Sequence, residues 1–116
     1  MHELSLAEST LALALRHAEK AGATRVTALH MVVGEFTTLE ETSLGYYWER
    51  VCRGTPADGS RLNIRRTRAR LKCLACSQEY EVEDGTWHCP SCQADRVRLV
   101  SGDECYLESI EVEEPA

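Results

Sequence analysis

Aromatic residues are scarce in this chain, 6 % of 116, and no apolar run approaches the roughly 20 residues that a membrane-spanning helix requires. Its start carries no basic stretch followed by an apolar one, so a secretory leader is not expected. These absences lead to the expectation of a cytoplasmic protein with reduced thiols and no membrane partner. A core with so few rings must be aliphatic and modest. Catalytic patterns are missing as well: there is no glycine-rich phosphate loop, and no Ser–His–Asp set or carboxylate pair can be argued from the order of residues. The expectation is a protein that is not an enzyme. Lysine and arginine are absent from Leu74 to Asp95, where Glu79, Glu81, Glu83, Asp84 and Asp95 fall. With a net charge of −6, this counts against a nucleic-acid partner.

What the chain does have is cysteine. Four of its six cysteines stand in two matched pairs, Cys73-Leu74-Ala75-Cys76 and Cys89-Pro90-Ser91-Cys92. That spacing lets each pair aim two sulfurs at one point, and the two pairs can close a tetrahedron around one Zn(II). Two disulfides would need an oxidising compartment, and a redox-active pair needs an adjoining βαβ pattern, so both are weaker readings. Catalytic zinc keeps an open coordination position, whereas four thiolates close the shell, so the zinc is expected to be structural. It would supply stability that a module of about 20–30 residues cannot draw from its own core. His88, beside Cys89, could exchange for a cysteine ligand; the competing reading is a solvent-facing histidine. His17 and His30 read as surface residues, Cys52 and Cys105 as small buried hydrophobes.

Leu4, Ala7, Leu11, Ala14, Leu15 and Ala18 recur at helical steps, and Gly22 is placed to end that helix in a left-handed cap. Val26 to Val33 reads as a strand with Leu29, Met31 and Val33 on one buried face. A second helix is expected from Glu40 to Arg53, with Leu44, Tyr47, Trp48, Val51 and Cys52 inward and Gly54 as its cap. Ser60 to Lys72 alternates as one long strand, with Leu62 and Ile64 inward and Arg61, Arg65, Arg66, Arg68, Arg70 and Lys72 crowded along it. That basic stretch is either a solvated face or a docking surface for an acidic protein. Short strands are expected at Arg96–Val100 and Glu104–Val112, the latter with a bulge near Glu108 and Ser109. The fold class expected is α+β, two helices packed on a small mixed sheet, with a four-cysteine zinc module inserted. Residues 1–70 and 97–116 would form the main domain and 71–96 the module.

His2 follows Met1, and that position has its own chemistry. A terminal amine titrates near pH 8, so a metal can displace its proton at modest cost. The Met1 amine, the next backbone nitrogen and the His2 imidazole could then wrap one ion, with Glu3 completing the square through its nitrogen or its carboxylate. Such a nitrogen set favours Ni(II) or Cu(II) over zinc. By itself this is a weak signal, and a solvated terminus is the stronger reading of it.

The run Met1-His2-Glu3-Leu4-Ser5-Leu6-Ala7, then Val33-Gly34-Glu35, the two cysteine pairs, and Ser109-Ile110-Glu111-Val112-Glu113 together resemble the HypA/HybF family of hydrogenase nickel-insertion proteins. The resemblance spans residue 1 to about residue 113, and its short motifs match in order and separation. It implies a nickel metallochaperone that carries Ni(II) on Met1, His2 and Glu3 as transient cargo. Zn(II) on Cys73, Cys76, Cys89 and Cys92 would be structural. The implied partners are the nickel GTPase HypB and the large subunit of [NiFe]-hydrogenase, with a homodimer left open. One departure stands out: the family often has glycine after the second cysteine of each pair, where this chain has Ser77 and Gln93. The rival reading is a zinc ribbon that binds nucleic acid or another protein through the arginine stretch.

Overall fold

The computed structural model describes residues 2–82 and 87–114. Its elements run α1 (Glu3–Lys20), β1 (Arg25–Gly34), α2 (Glu41–Val51), β2 (Arg61–Thr67), β3 (Arg70–Cys73), β4 (Glu79–Glu81), β5 (Val97–Ser101) and β6 (Cys105–Glu113). The chain packs as two compact units. The first holds Met1–Val32, Thr38–Arg65 and Tyr106–Ala116; the second holds Val33–Thr37 and Arg66–Cys105.

In the first unit α1 packs on α2 through a stripe of small residues, with Ala7, Thr10, Ala14 and Ala18 buried. The helix ends as its sequence suggests. Gly22 takes φ +70°, the Ala23 N–H donates to Ala18 O at 2.9 Å, and the Gly22 N–H donates to Glu19 O at 3.0 Å. Those two bonds are a Schellman cap, and glycine supplies the left-handed residue at no steric cost. At the start of α2, the Glu40 carboxylate accepts the Thr42 N–H at 2.7 Å, and Leu44 and Trp48 are buried on its inner side. The indole of Trp48 donates to the Ser60 hydroxyl at 3.0 Å, so the buried ring keeps its polar edge satisfied.

The sheet order is β2-β1-β6. Thr24 N–H donates to Glu113 O and Gly34 N–H to Glu104 O, so β6 runs opposite to β1. Along β2 the pairing advances with β1, from His30 beside Asn63 to the Glu35 N–H on Thr67 O. The sheet is therefore mixed, with α2 as the crossover between parallel neighbours. As the middle strand, β1 is buried on both faces: Val26, Ala28 and Val32 lie inside along with Leu29, Met31 and Val33. The single buried face expected from alternation is thereby corrected, because a central strand covered on both sides loses its polar alternation. Along β6 the exposure pattern slips one residue at Glu108 and Ser109, where the sequence placed the bulge.

The second unit contains the sheet β4-β3-β5, antiparallel throughout. Here the expected long strand from Ser60 to Lys72 needs a second correction. It is two strands, β2 and β3, in two different sheets. Between them Ala69 is fully buried, its N–H donating to the Glu35 carboxylate. A side-chain acceptor takes the place of a ladder partner there, and the chain changes sheets. The core of this unit is Ala69, Leu71, Cys73, Tyr80, Val82 and Cys89, with Phe36, Ala94 and Val97 packed against it. Near its base, Glu104 accepts from the Thr67 hydroxyl and from the Gly102 N–H. These two donors, in that order, hold its carboxyl below the usual carboxylate range.

Candidate metal centre

Each cysteine pair sits on a turn with the same wiring. In the first, the Ser77 N–H donates to Cys73 O and the Cys73 N–H to Gln78 O, both at 2.9 Å. In the second, the Gln93 N–H donates to Cys89 O and the Cys89 N–H to Ala94 O, again at 2.9 Å. Closing these turns forces the residue after each second cysteine into the left-handed region, and both Ser77 and Gln93 have φ +65°. The missing glycines of the sequence thus occupy the two strained positions. A left-handed residue with a Cβ costs about 1–2 kcal/mol, and glycine gives back about 0.5–1 kcal/mol in chain entropy. Ser77→Gly and Gln93→Gly are each expected to stabilise the chain by about 0.5–1 kcal/mol, read from urea midpoints at unchanged slope.

The two turns bring four sulfurs together. The Sγ atoms of Cys73, Cys76, Cys89 and Cys92 all lie within 4.8 Å of one another. Cys73 and Cys92 are 3.5 Å apart, and Cys76 and Cys89 are 3.6 Å apart. A tetrahedron with Zn–S bonds near 2.3 Å has edges of about 3.8 Å, so the set fits one such ion. Cys73 and Cys89 are buried while Cys76 and Cys92 reach the surface, leaving one side of the cluster open for loading.

The four thiols are not equivalent. Cys73 is lowered, first by the Cys76 N–H. Burial works to raise Cys89, but N–H groups of Cys92 and Ser91 and the neighbouring thiols outweigh it and bring it down to about 7. For Cys76 the Gln78 N–H acts to lower it, yet the Cys89 thiol and burial win and push it up to about 12. For Cys92 the N–H of Ala94 acts to lower it, but the Cys73 thiol, burial and the Cys89 thiol together outweigh it, and it too moves up. Charge thus gathers on the buried sulfurs first, because their neighbours donate to them.

Tyr80 has no marked role in the sequence, yet it belongs to the same buried core as two of the sulfurs, those of Cys73 and Cys89. Its hydroxyl donates to Trp87 O at 2.6 Å. The Trp87 ring in turn stacks on Phe36, centroids 4.9 Å apart and 9° from parallel. The alternation Glu79-Tyr80-Glu81 is the signal that could have found it.

Of the other candidates, His88 is exposed and takes no part in the four-sulfur group. His17 is exposed in the last turn of α1, while His30 is half-buried and meets the Glu111 carboxylate at 2.7 Å. Cys52 is buried, and that burial, against a weaker pull from Ser60, pushes its thiol up to about 11. Cys105 is only partly buried.

At the other end of the chain, Met1 lies outside the described residues. His2 is exposed and precedes α1 in an extended conformation, φ −92° and ψ 116°, without capping the helix by its side chain. Its carbonyl accepts the Leu6 N–H at 3.0 Å, so the backbone after it is fixed and the imidazole is left to solvent. The Glu3 carboxylate is engaged: it accepts the Glu40 N–H at 3.0 Å, and that bond lowers its pKa, followed by one from its own N–H. Glu40, expected from the sequence only as the start of the second helix, therefore also ties Glu3 to the head of α2.

Comparison with known proteins agrees over nearly the whole length. A family model described as "Hydrogenase/urease nickel incorporation, metallochaperone, hypA" matches residues 1–112. Hydrogenase maturation factor HybF of Escherichia coli O157:H7 is 40 % identical over 113 residues, which is 97 % of this chain and all of that protein. Hydrogenase maturation factor HypA of Chlorobaculum parvum is 36 % identical over the same share of each. The solution structure of the Ni metallochaperone HypA from Helicobacter pylori superposes with a TM-score of 0.70 at 24 % identity, covering 99 % of this chain and 100 % of that one. That last likeness speaks to the fold.

Proposed function

This chain belongs to the HypA family of hydrogenase and urease nickel-incorporation metallochaperones, and from that premise we propose that it carries Ni(II) on its N-terminus for [NiFe]-hydrogenase maturation. The observation that supports the site is the exposed, uncapped His2 at the head of α1. The ligands would be the Met1 amine, the His2 amide and imidazole nitrogens, and the backbone nitrogen of Glu3. Since the Glu3 carboxylate is already bonded to Glu40, the amide nitrogen is the donor Glu3 would give the metal. The first N–H groups of a helix have no acceptor within it, so nickel can take the Glu3 nitrogen without breaking a helical bond. A planar set of nitrogens is the arrangement Ni(II) favours.

Zn(II) on Cys73, Cys76, Cys89 and Cys92 is the structural half of the proposal, supported by the four-sulfur geometry. When bound, zinc supplies folding energy to the second unit. The protein is read as a cytoplasmic carrier without catalysis of its own; among the described residues no helix is long and apolar enough to cross a membrane. Its partners in this reading are the nickel GTPase HypB, which supplies the nucleotide chemistry, and the hydrogenase large subunit, which receives the metal by ligand exchange. A homodimer is the form to look for in solution.

Isothermal titration with Ni(II) on protein bearing its native, untagged start tests the site. His2→Ala is expected to weaken nickel binding at least about tenfold, or 1.4 kcal/mol, while zinc content stays as in the unaltered chain. Glu3→Gln should keep most of the affinity, because the backbone nitrogen survives. Unchanged nickel binding in His2→Ala would remove the N-terminal site from consideration.

A further inference from the structure

One edge of the second unit's sheet has no neighbouring strand among the described residues. Among the described residues β5 is the terminal strand of the order β4-β3-β5, so one side of its backbone has no strand beyond it. Such an edge carries a row of unpaired N–H and C=O groups. Two arginines stand at it, Arg96 and Arg98. Arg98 lies directly opposite Lys72 in the ladder, and the Leu74 N–H bonds to Arg96 O, so by the period of two Arg96 and Arg98 share a face with Lys72. Like charges directly opposite one another across a sheet are destabilising. Lys72 has Glu79 opposite it in the β3–β4 ladder and Arg70 has Glu81 at 3.8 Å, whereas among the described residues Arg96 and Arg98 form no ion pair. Exposed aliphatic side chains accompany them: Leu74 is 54 %, Val100 44 % and Leu99 37 % exposed.

We propose that the β5 edge binds an extended protein segment in which acidic residues alternate with aliphatic ones, adding it to the sheet as a further strand. Backbone bonds to the edge would give affinity, and carboxylates facing Arg96 and Arg98 would set the choice of sequence. The short length of β5, its irregularity at Arg70/Leu71 and Arg98 itself are also the usual devices that keep an edge from pairing. They repel a basic strand and leave an acidic one welcome. The opposite edge, β4, carries Glu79 and Glu81, so the same peptide is turned away there. Nucleic acid is the less favoured occupant, since among the described residues no exposed aromatic side chain is interleaved with these cations for base stacking.

The test uses the full zinc-loaded chain and a short fluorescein-labelled peptide alternating Glu and Val, followed by anisotropy. Binding is expected to weaken with salt, to fall by about tenfold or more in the Arg96→Glu, Arg98→Glu double variant, and to return in that variant with a Lys–Val peptide. Alternate N-methylation of the peptide should abolish it, because strand addition needs those amides. Zinc content, circular dichroism and nickel affinity measured on the same variant should not change, which separates this site from the N-terminal one. The proposal is overturned by a peptide that does not bind, by N-methylated peptide that binds equally well, by an oligonucleotide that binds more tightly than the peptide, or by Arg-dependent self-association in its place.

Discussion

Cys73→Ser, or Cys89→Ser, should yield a chain that has lost about one zinc per molecule and the order of its second unit with it. Both thiols are fully buried in the small core of that unit, so the substitution removes a ligand and leaves a hydroxyl among Leu71, Tyr80 and Val82. Zinc held there would contribute heavily: structural sites in small modules bind with apparent energies of about 10–16 kcal/mol near neutral pH. Metal analysis and the near-ultraviolet signal of Trp87 and Tyr80 would report the loss. Cys52→Ser is the control, because that thiol lies in the first unit and should leave the metal in place. Retention of zinc by both ligand variants would overturn the four-thiolate assignment.

The pKa pattern adds a pH dependence to this result. Thiolates bind zinc and thiols do not, so affinity rises with pH until the last sulfur has ionised. With Cys89 lowered to about 7 and Cys76 raised to about 12, loading at pH 8 should expel between about two and three protons per ion, mostly from the two exposed cysteines. Titration calorimetry in buffers of different ionisation enthalpy counts them. A count near four would show that the four thiols start alike.

Gly34→Ala carries the other large effect. A Cβ at Gly34 would stand 2.2 Å from the Gly102 oxygen and 2.3 Å from its carbonyl carbon. Those are backbone atoms, and they are held. The Phe36 N–H donates to that same oxygen at 2.7 Å, and the Gly34 N–H donates to Glu104 O at 2.7 Å. Nothing nearby is the flexible end of a side chain, so the backbone itself must part. The expected loss is about 3 kcal/mol or more, a fall in melting temperature of roughly 10 °C or greater. Gly45→Ala offers the contrast. No heavy atom lies within 4 Å of its added Cβ and the site is an exposed turn of α2, so the change should stabilise by about 0.5–1 kcal/mol. Equal effects at the two positions would mean that the close approach at Gly34 is relaxed in solution.

The residues that were legible in the sequence are those whose roles are local. Helix stripes, the Gly22 cap and the spacing of the cysteines depend on neighbours a few positions away, and all appear where expected. The four sulfurs converge because each turn needs only its own six residues. What escaped was decided over longer distances. Whether Ser60 to Lys72 is one strand or two depends on Glu35, far away in sequence, offering a carboxylate to the Ala69 N–H. The double burial of β1 depends on its being the middle strand, which alternation within the strand cannot reveal. Likewise, nothing around Glu3 marks its carboxylate as spoken for until Glu40 is placed beside it. The strain at Ser77 and Gln93 lay between these cases: the family resemblance flagged the absent glycines, and the φ angles show what their absence costs.

The head of α1 has a meaning beyond holding His2. Peptide dipoles aligned along a helix leave about half a positive charge at its N-terminus, an inhospitable neighbour for a divalent cation. In the proposed site Ni(II) rests there only while deprotonated backbone nitrogens cancel that repulsion. Restoring a proton to the Glu3 nitrogen would remove a ligand and uncover the dipole in the same event. The helix would then act as a spring behind the cargo, compressed on loading and released by a single proton at the moment of hand-over.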